Sequence, residues 1–270
     1  MPDGDPTLTF IGTATALLRI GPFTLLTDPN FLHRGQRAYL GKGLWSKRST
    51  DPAMTIDQLP ALDAVVLSHL HGDHFDRVAK AGLDKSVPVV TTEHAARQLT
   101  AWGFSTAALK PWQQYTLTSS DGADAQSLTI ESVPGVHAYG PLGALLPPVM
   151  GSVLTWERAG VRQLSLYITG DTLIGDHLKQ IAARHPNLDG AVVHLGGTRI
   201  LGALVTLDGR GGRALLEAVD PGYAIPVHYD DYPVFRSPLR DFVAAVAGTR
   251  FEGRIRYVER GQTRGLAPST

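Results

Sequence analysis

The sequence predicts an α/β fold in which helices cover sheets that are themselves buried, and three observations predict it. Short apolar and β-branched runs recur along the chain, each bounded by Gly, Pro or Asp. Stretches with helical spacing lie between them, and strands dominate early before alternating with helices. Strands are expected at 8–11, 16–20 and 23–27, then at 64–68 and 87–91, where apolar runs of four to seven residues end in turn formers. Further strands follow at 127–133, 153–157, 163–169, 190–195, 223–227 and 254–258. Helical spacing appears near 73–81, 93–102, 175–184, 209–219 and 238–246. Two stretches stand apart. Residues 33–50 carry Arg34, Arg37, Lys42, Lys47 and Arg48 with no acid and no strand pattern, and read as a long basic surface loop. Residues 140–151 are apolar but broken by Gly and Pro, which excludes regular secondary structure there. No internal repeat or domain boundary is visible, so residues 1–270 are expected to form one domain.

Composition narrows the function. With 25 Lys+Arg against 25 Asp+Glu, the chain has no net field to attract nucleic acid or an anionic membrane, and a dedicated nucleic-acid binder is disfavoured. The absence of cysteine removes thiolate metal sites and cysteine nucleophiles, leaving His, Asp and Glu as metal ligands. The N-terminus lacks the basic and apolar regions of a signal peptide, and the apolar stretch 142–154 is too short to span a bilayer. A cytoplasmic location is expected.

The chemistry concentrates in Ser68-His69-Leu70-His71-Gly72-Asp73-His74-Phe75-Asp76. Residues two apart in extended chain point the same way, so His69 and His71 converge on one ion from the end of a strand. Gly72 permits a sharp turn, after which Asp73 and His74, at the start of the expected helix, face a second ion. Imidazole and carboxylate suit zinc, with manganese or iron as alternatives. A solvated, His-rich helix entrance is the competing reading. Three His and two Asp within eight residues, directly after an apolar strand, argue against it.

The run His69-Leu70-His71-Gly72-Asp73-His74 resembles the His-x-His-x-Asp-His motif of the metallo-β-lactamase-fold superfamily. The resemblance implies a four-layer αββα sandwich with a metal site at one edge between the sheets. It also implies three later ligands: His137 as the third His of the first metal, Asp171 as the bridging carboxylate, and His228 as the terminal His of the second. Phe10-Ile11-Gly12-Thr13, Leu26-Thr27-Asp28-Pro29 and Val227-His228-Tyr229-Asp230-Asp231 resemble one branch of it. That branch groups lactonase-like proteins of the ascorbate-phosphate type with phospholipase D-like enzymes acting on N-acylphosphatidylethanolamine. Many relatives carry His where this chain has Thr13.

The expected activity is a metal-dependent hydrolase cleaving an ester-type bond, phosphodiester or lactone. Two cations sharing a water lower its pKa toward about 7 and deliver hydroxide as the nucleophile. Asp73 is assigned two roles, ligand and proton acceptor. Asp28 and Asp76 are candidates to hydrogen-bond a ligand imidazole, with turn and helix capping as the alternative. His194 is expected on the pocket wall, and His33, His94, His177 and His185 on the surface. The basic loop and the segment 140–151, with Trp45, Trp112 or Tyr139, would suit a small-molecule substrate that is anionic or amphiphilic. A metal-binding protein on the same fold without catalysis is the alternative. Iron redox chemistry is disfavoured because His71 stands where the redox relatives carry Glu.

Overall fold

The computed structural model describes residues 4–41, 43–119 and 125–268, so Lys42 lies outside the described residues. The chain runs through β1 (Thr7–Gly12), β2 (Thr15–Ile20), β3 (Phe23–Thr27), β4 (Arg37–Tyr39), β5 (Trp45–Lys47), β6 (Ala64–Val66), α1 (Arg77–Gly82), β7 (Val89–Thr92), α2 (Glu93–Ala101), β8 (Thr106–Leu109) and β9 (Gln114–Ser119). It continues through β10 (Gln126–Pro134), β11 (Met150–Arg158), β12 (Val161–Ile168), α3 (Asp176–Arg184), β13 (Gly190–His194), β14 (Arg199–Ile200), β15 (Ala203–Leu204), α4 (Gly209–Val219), β16 (Tyr223–Val227), α5 (Leu239–Val246) and β17 (Thr263–Gly265).

Two sheets dominate, one ordered β17-β1-β2-β3-β6-β7-β8 and the other β16-β13-β12-β11-β10-β9. Alternation along each strand decides the layering, because successive side chains point to opposite faces. Leu18, Leu25 and Val66 face Leu154, Leu166 and Ile225 between the sheets. Their neighbours Leu17, Leu26 and Val65 point outward, onto Ala79 of α1 and Ala95 and Leu99 of α2. On the far side, Val153, Tyr167 and Val193 pack against Leu178 of α3, Leu216 of α4 and Phe242 of α5. Three apolar interfaces therefore separate four layers, αββα. Each fully buried aliphatic side chain in them contributes about 1.5–3 kcal/mol.

The parallel strands place the site. β3, β6 and β7 run parallel in the first sheet, as do β12, β13 and β16 in the second. In open α/β sheets the crevice outside the carboxyl ends of such strands is where ligands bind. Asp28 follows β3, His69 follows β6, Asp171 follows β12, His194 ends β13 and His228 follows β16.

Several expectations need correction. The helix expected from Asp73 begins at Arg77, because the Asp76 carboxylate accepts from the Val78 and Ala79 amides and caps it there. Residues 71–75 form a tight turn, with the His74 and Phe75 amides both donating to the His71 carbonyl. The strand expected at 254–258 is a single bridge to β16, since Arg254 pairs with Asp220 and Arg256 lies over the Tyr223 ring. The edge beside β1 is taken by β17 instead. The basic loop contains the antiparallel hairpin β4–β5, with Arg37 opposite Lys47 and Tyr39 opposite Trp45. Segment 140–151 holds a 3-10 turn at Gly140–Leu142 and ends inside β11, where Met150 pairs with Pro134.

Candidate metal centre

All seven expected ligands meet at this crevice. The atoms of His69, His71 and His137 lie within 4.8 Å of one another, as do those of Asp73, His74 and His228. Asp171 lies between the triads: its Oδ2 is 3.2 Å from His74 Nε2 and 4.0 Å from His69 Nε2. In the first triad His71 Nδ1 is 3.0 Å from His69 Nε2 and 3.4 Å from His137 Nε2. In the second, His228 Nε2 is 3.5 Å from Asp73 Oδ2.

The other edge of each ring reveals its tautomer. A carbonyl only accepts, so His137 Nδ1–H donates to the Val205 carbonyl at 2.8 Å and His228 Nδ1–H to that of Leu195 at 3.1 Å. In the neutral rings both Nε2 atoms then present lone pairs. His74 Nδ1 faces the Asp28 carboxylate at 3.3 Å, which likewise directs its Nε2 inward. Such partners orient metal-ligating imidazoles generally.

Two backbone devices hold the ligand turn. Asn30 Nδ2 donates to the Gly72 carbonyl, and the Gly72 amide donates to the Tyr39 carbonyl of β4, each at 2.8 Å. A Cβ on Gly72 would stand 2.6 Å from that carbonyl oxygen, so only glycine fits under the hairpin. On the opposite side His228 adopts φ 62, held by its amide donating to the Thr13 carbonyl at 2.7 Å. Thr13 is fully buried, and its amide donates to Asp231 Oδ2 at 2.6 Å. Its place is behind His228, as a support.

Electrostatics separate the groups by role. Burial pushes His69, His71 and His137 below the usual imidazole range, His71 to about 4, so these rings are neutral near pH 7. For His74 and His228 burial pulls the same way, but Asp171 and the other carboxylates outweigh it and raise both. Burial alone would raise Asp28, Asp73 and Asp171, yet the surrounding histidines bring all three below the usual carboxylate range. Three buried carboxylates are thus ionised. Among the described residues their ion pairs are all with histidines and none with Lys or Arg.

The residues present fit a metal group. Asp73 Oδ1, Asp171 Oδ1, His74 Nε2 and His228 Nε2 are buried without a hydrogen-bond partner; His74 Nε2 is at ion-pair distance from Asp171 but lacks hydrogen-bond geometry. Buried unpaired polar atoms beside buried negative charge are costly, and cations at these positions would satisfy both.

A cavity of about 130 Å³ opens onto His71, Asp73, His137 and Asp171. Leu40, Leu44 and Trp45 wall it on the β4–β5 side, and Ile200 and Val205 wall it on the β14–β15 side. The segment 140–151 does not line this cavity. Nor does Trp112, which packs under Arg184, or Tyr139, whose hydroxyl donates to the Ile174 carbonyl.

The supporting residues were only partly foreseen. Asp28 accepts from the Ser68 amide at 2.8 Å and faces both His74 and His194, at 3.3 and 3.2 Å. His194 is fully buried behind the ligands, against Asp28, and does not line the cavity. Asp76 takes the capping alternative, accepting from the Phe31, Leu32, Val78 and Ala79 amides. Arg48 is not on a surface loop: it is 1% exposed, and Nη1 donates to the Asn30 and Leu32 carbonyls and to Asn30 Oδ1. No signal in its own neighbourhood distinguishes it from Arg34, Arg37 or Lys47, which are exposed. His33 and His94 are exposed as expected, and His185 is half-buried beside Glu131. His177 is buried instead, its Nε2 3.0 Å from Thr172 Oγ1, because α3 turns that face inward.

Comparisons with known proteins give the family and the fold. The beta-lactamase superfamily domain matches residues 24–229, and the chain belongs to that family. An uncharacterized protein of Mycobacterium tuberculosis is 27% identical over 237 residues, covering 86% of this chain and 60% of the relative. The chain therefore matches somewhat less than two thirds of that protein's length. A metal-dependent hydrolase of Staphylococcus carnosus is 26% identical over 250 residues, covering 84% of this chain and 95% of that one. The isothiocyanate hydrolase from Delia radicum gut bacteria superposes with a TM-score of 0.80 at 21% identity, over 97% of this chain and 99% of that one. At that identity the likeness establishes the metallo-β-lactamase fold.

Proposed function

We propose that the chain is a metal-dependent hydrolase acting on an ester-type bond, a phosphodiester or a lactone. It would hold two divalent cations, zinc first with manganese or iron as substitutes. One is assigned to His69, His71 and His137 and the other to Asp73, His74 and His228, with Asp171 shared. Because both sheets contribute ligands, the two halves act as one unit. The observation that carries the reading is the cluster of two ligand triads around Asp171, in which Asp73 Oδ1, Asp171 Oδ1, His74 Nε2 and His228 Nε2 are buried without hydrogen-bond partners.

When bound, divalent cations supply Lewis acidity and an acidified water. The side chains do the rest. Asp73 lines the cavity, and its Oδ1 has no other partner, so it is placed to accept the proton of the attacking water. Asp28 holds the His74 ring in its inward tautomer. Leu40, Ile200 and Val205 keep bulk water away from the reacting group, and Arg199, Thr198 and Thr206 add polar lining, so the wall suits either a lactone or a phosphodiester. The short motifs that resemble lactonase-like and phospholipase D-like proteins, Leu26-Thr27-Asp28-Pro29 among them, would agree with the same bond class.

The test is elemental analysis of the purified protein, followed by turnover of lactone and phosphodiester panels with added Zn or Mn. Asp73→Ala is expected to lower turnover roughly a thousandfold. Metal-replete protein that turns over nothing in either panel would replace this reading with a metal-binding protein lacking catalysis.

A further inference from the structure

A second cleft, of about 440 Å³, shares the Trp45 and His71 side chains with the reaction cavity. Its apolar base includes Leu70, Phe75 and Trp102, and the rings of Tyr39 and Trp45, tilted against each other with centroids 4.8 Å apart, stand at its side. Arg37, Arg77 and Lys80 also line it. Arg77 Nη1 donates to the Arg37 carbonyl, and Lys80 Nζ lies 3.9 Å over the Trp102 ring. Among the described residues, none of these three cations has a carboxylate partner.

The acid lining this cleft, Asp76, is already committed, since both its oxygens accept backbone amides. His71 adds a donor. On the proposed reading its Nδ1 is the coordinating atom, which leaves the hydrogen on Nε2, the ring edge beside Gly41 on the cleft wall. The cleft therefore combines an aromatic base, three cations without counter-charge and one N–H donor. It opens next to the cavity where reaction is placed.

We infer that this cleft binds the anionic end of an amphiphilic substrate: a carboxylate, sulfonate or phosphate carried on an aryl or alkyl body. The ester-type bond of that molecule would reach past Trp45 into the reaction cavity. The inference rests on the hydrolase reading for its place in catalysis, and on the cleft alone for binding. Guanidinium and ammonium groups recognise the anion, and the indole and phenyl faces take the body.

Two fluorescent probes with one aromatic skeleton test the binding claim: 1-anilinonaphthalene-8-sulfonate and the uncharged N-phenyl-1-naphthylamine. Titrated into the full chain at low salt, the sulfonate is expected to bind about tenfold more tightly. The preference should vanish in an Arg37→Gln/Arg77→Gln variant. Equal binding of the two probes, or a preference that survives in that variant with its circular dichroism and metal content intact, overturns the inference. Should the double variant misfold, Lys80→Gln alone is expected to cut the preference about two- to threefold, and no change there counts against the cleft equally. In turnover, the same substitutions are expected to raise KM for an anionic ester more than for its neutral counterpart. Absence of all turnover would sink the hydrolase reading while leaving the probe experiment to judge the cleft.

Discussion

Of the first triad, His71 and His137 border the cavity and His71 is partly accessible, whereas in the second only Asp73 reaches the cavity and all three residues are buried. The triads use the same chemistry but differ in what stands behind them. The enclosed triad is backed by Asp28, by the Leu195 carbonyl and by the positive φ of His228. His71 has only its neighbouring ligands on one side and the cleft on the other. The enclosed triad is therefore the more prearranged, and on the proposed reading it retains its cation more tightly, while the open triad exchanges.

Asp171 is the point at which the difference should disappear, since both triads reach it. Asp171→Asn is expected to lower turnover roughly a thousandfold and to leave less than two equivalents of metal by elemental analysis. Full occupancy with full turnover would show that the triads are independent.

Next in size is a pH effect that belongs to the open triad. In metal-free protein the folded His71 value of about 4 lies below its ordinary 6.5. Between those values the unfolded chain binds a proton that the folded chain refuses, so stability falls as pH drops through that window. The contribution is about 3 kcal/mol, and His71→Asn should flatten a urea-denaturation profile between pH 6.5 and 4. His74 and His228, raised instead, contribute stability that is present below the ordinary imidazole value and lost as pH rises through their folded values. An unchanged acid limb in His71→Asn would mean that the open triad is no softer than the enclosed one.

Asp28→Asn sharpens the comparison from the other side. It removes the charge behind His74 and is expected to weaken metal binding at the enclosed triad about 10–100-fold in chelator competition, with a smaller effect on the open triad, which Asp28 reaches only through Ser68 Oγ and His69 Nδ1. Equal weakening at both would mean that Asp28 supports the whole site. The smallest expected effect is that of Gly72→Ala, which drives a methyl group into the Tyr39 carbonyl. It should cost about 2 kcal/mol in urea denaturation, with metal affinity falling because the turn carries His71 and Asp73. A neutral result would show that the β4–β5 hairpin yields easily.

Legibility followed distance along the chain. The ligands from His69 to His74 were readable because a strand, a glycine turn and alternating side chains bring them together locally. His137, Asp171 and His228 are single residues at separate strand ends, and only the ordered resemblance to a known family picked them out. Arg48 was misread because charge near other basic residues looks the same whether a side chain is solvated or buried. The wall formed by β14 and β15 was not anticipated, since two-residue strands carry no periodicity.

The order of apolar and polar residues determined by itself that these strands would have two faces, because side-chain direction alternates with every residue. It also determined that one turn would crowd imidazoles and carboxylates. Only the tertiary structure decided which strand ends meet, which guanidinium is enclosed and which hairpins border the cavity. These depend on contacts such as His194 with Asp28, 166 positions apart, and no local pattern encodes a partner at that distance.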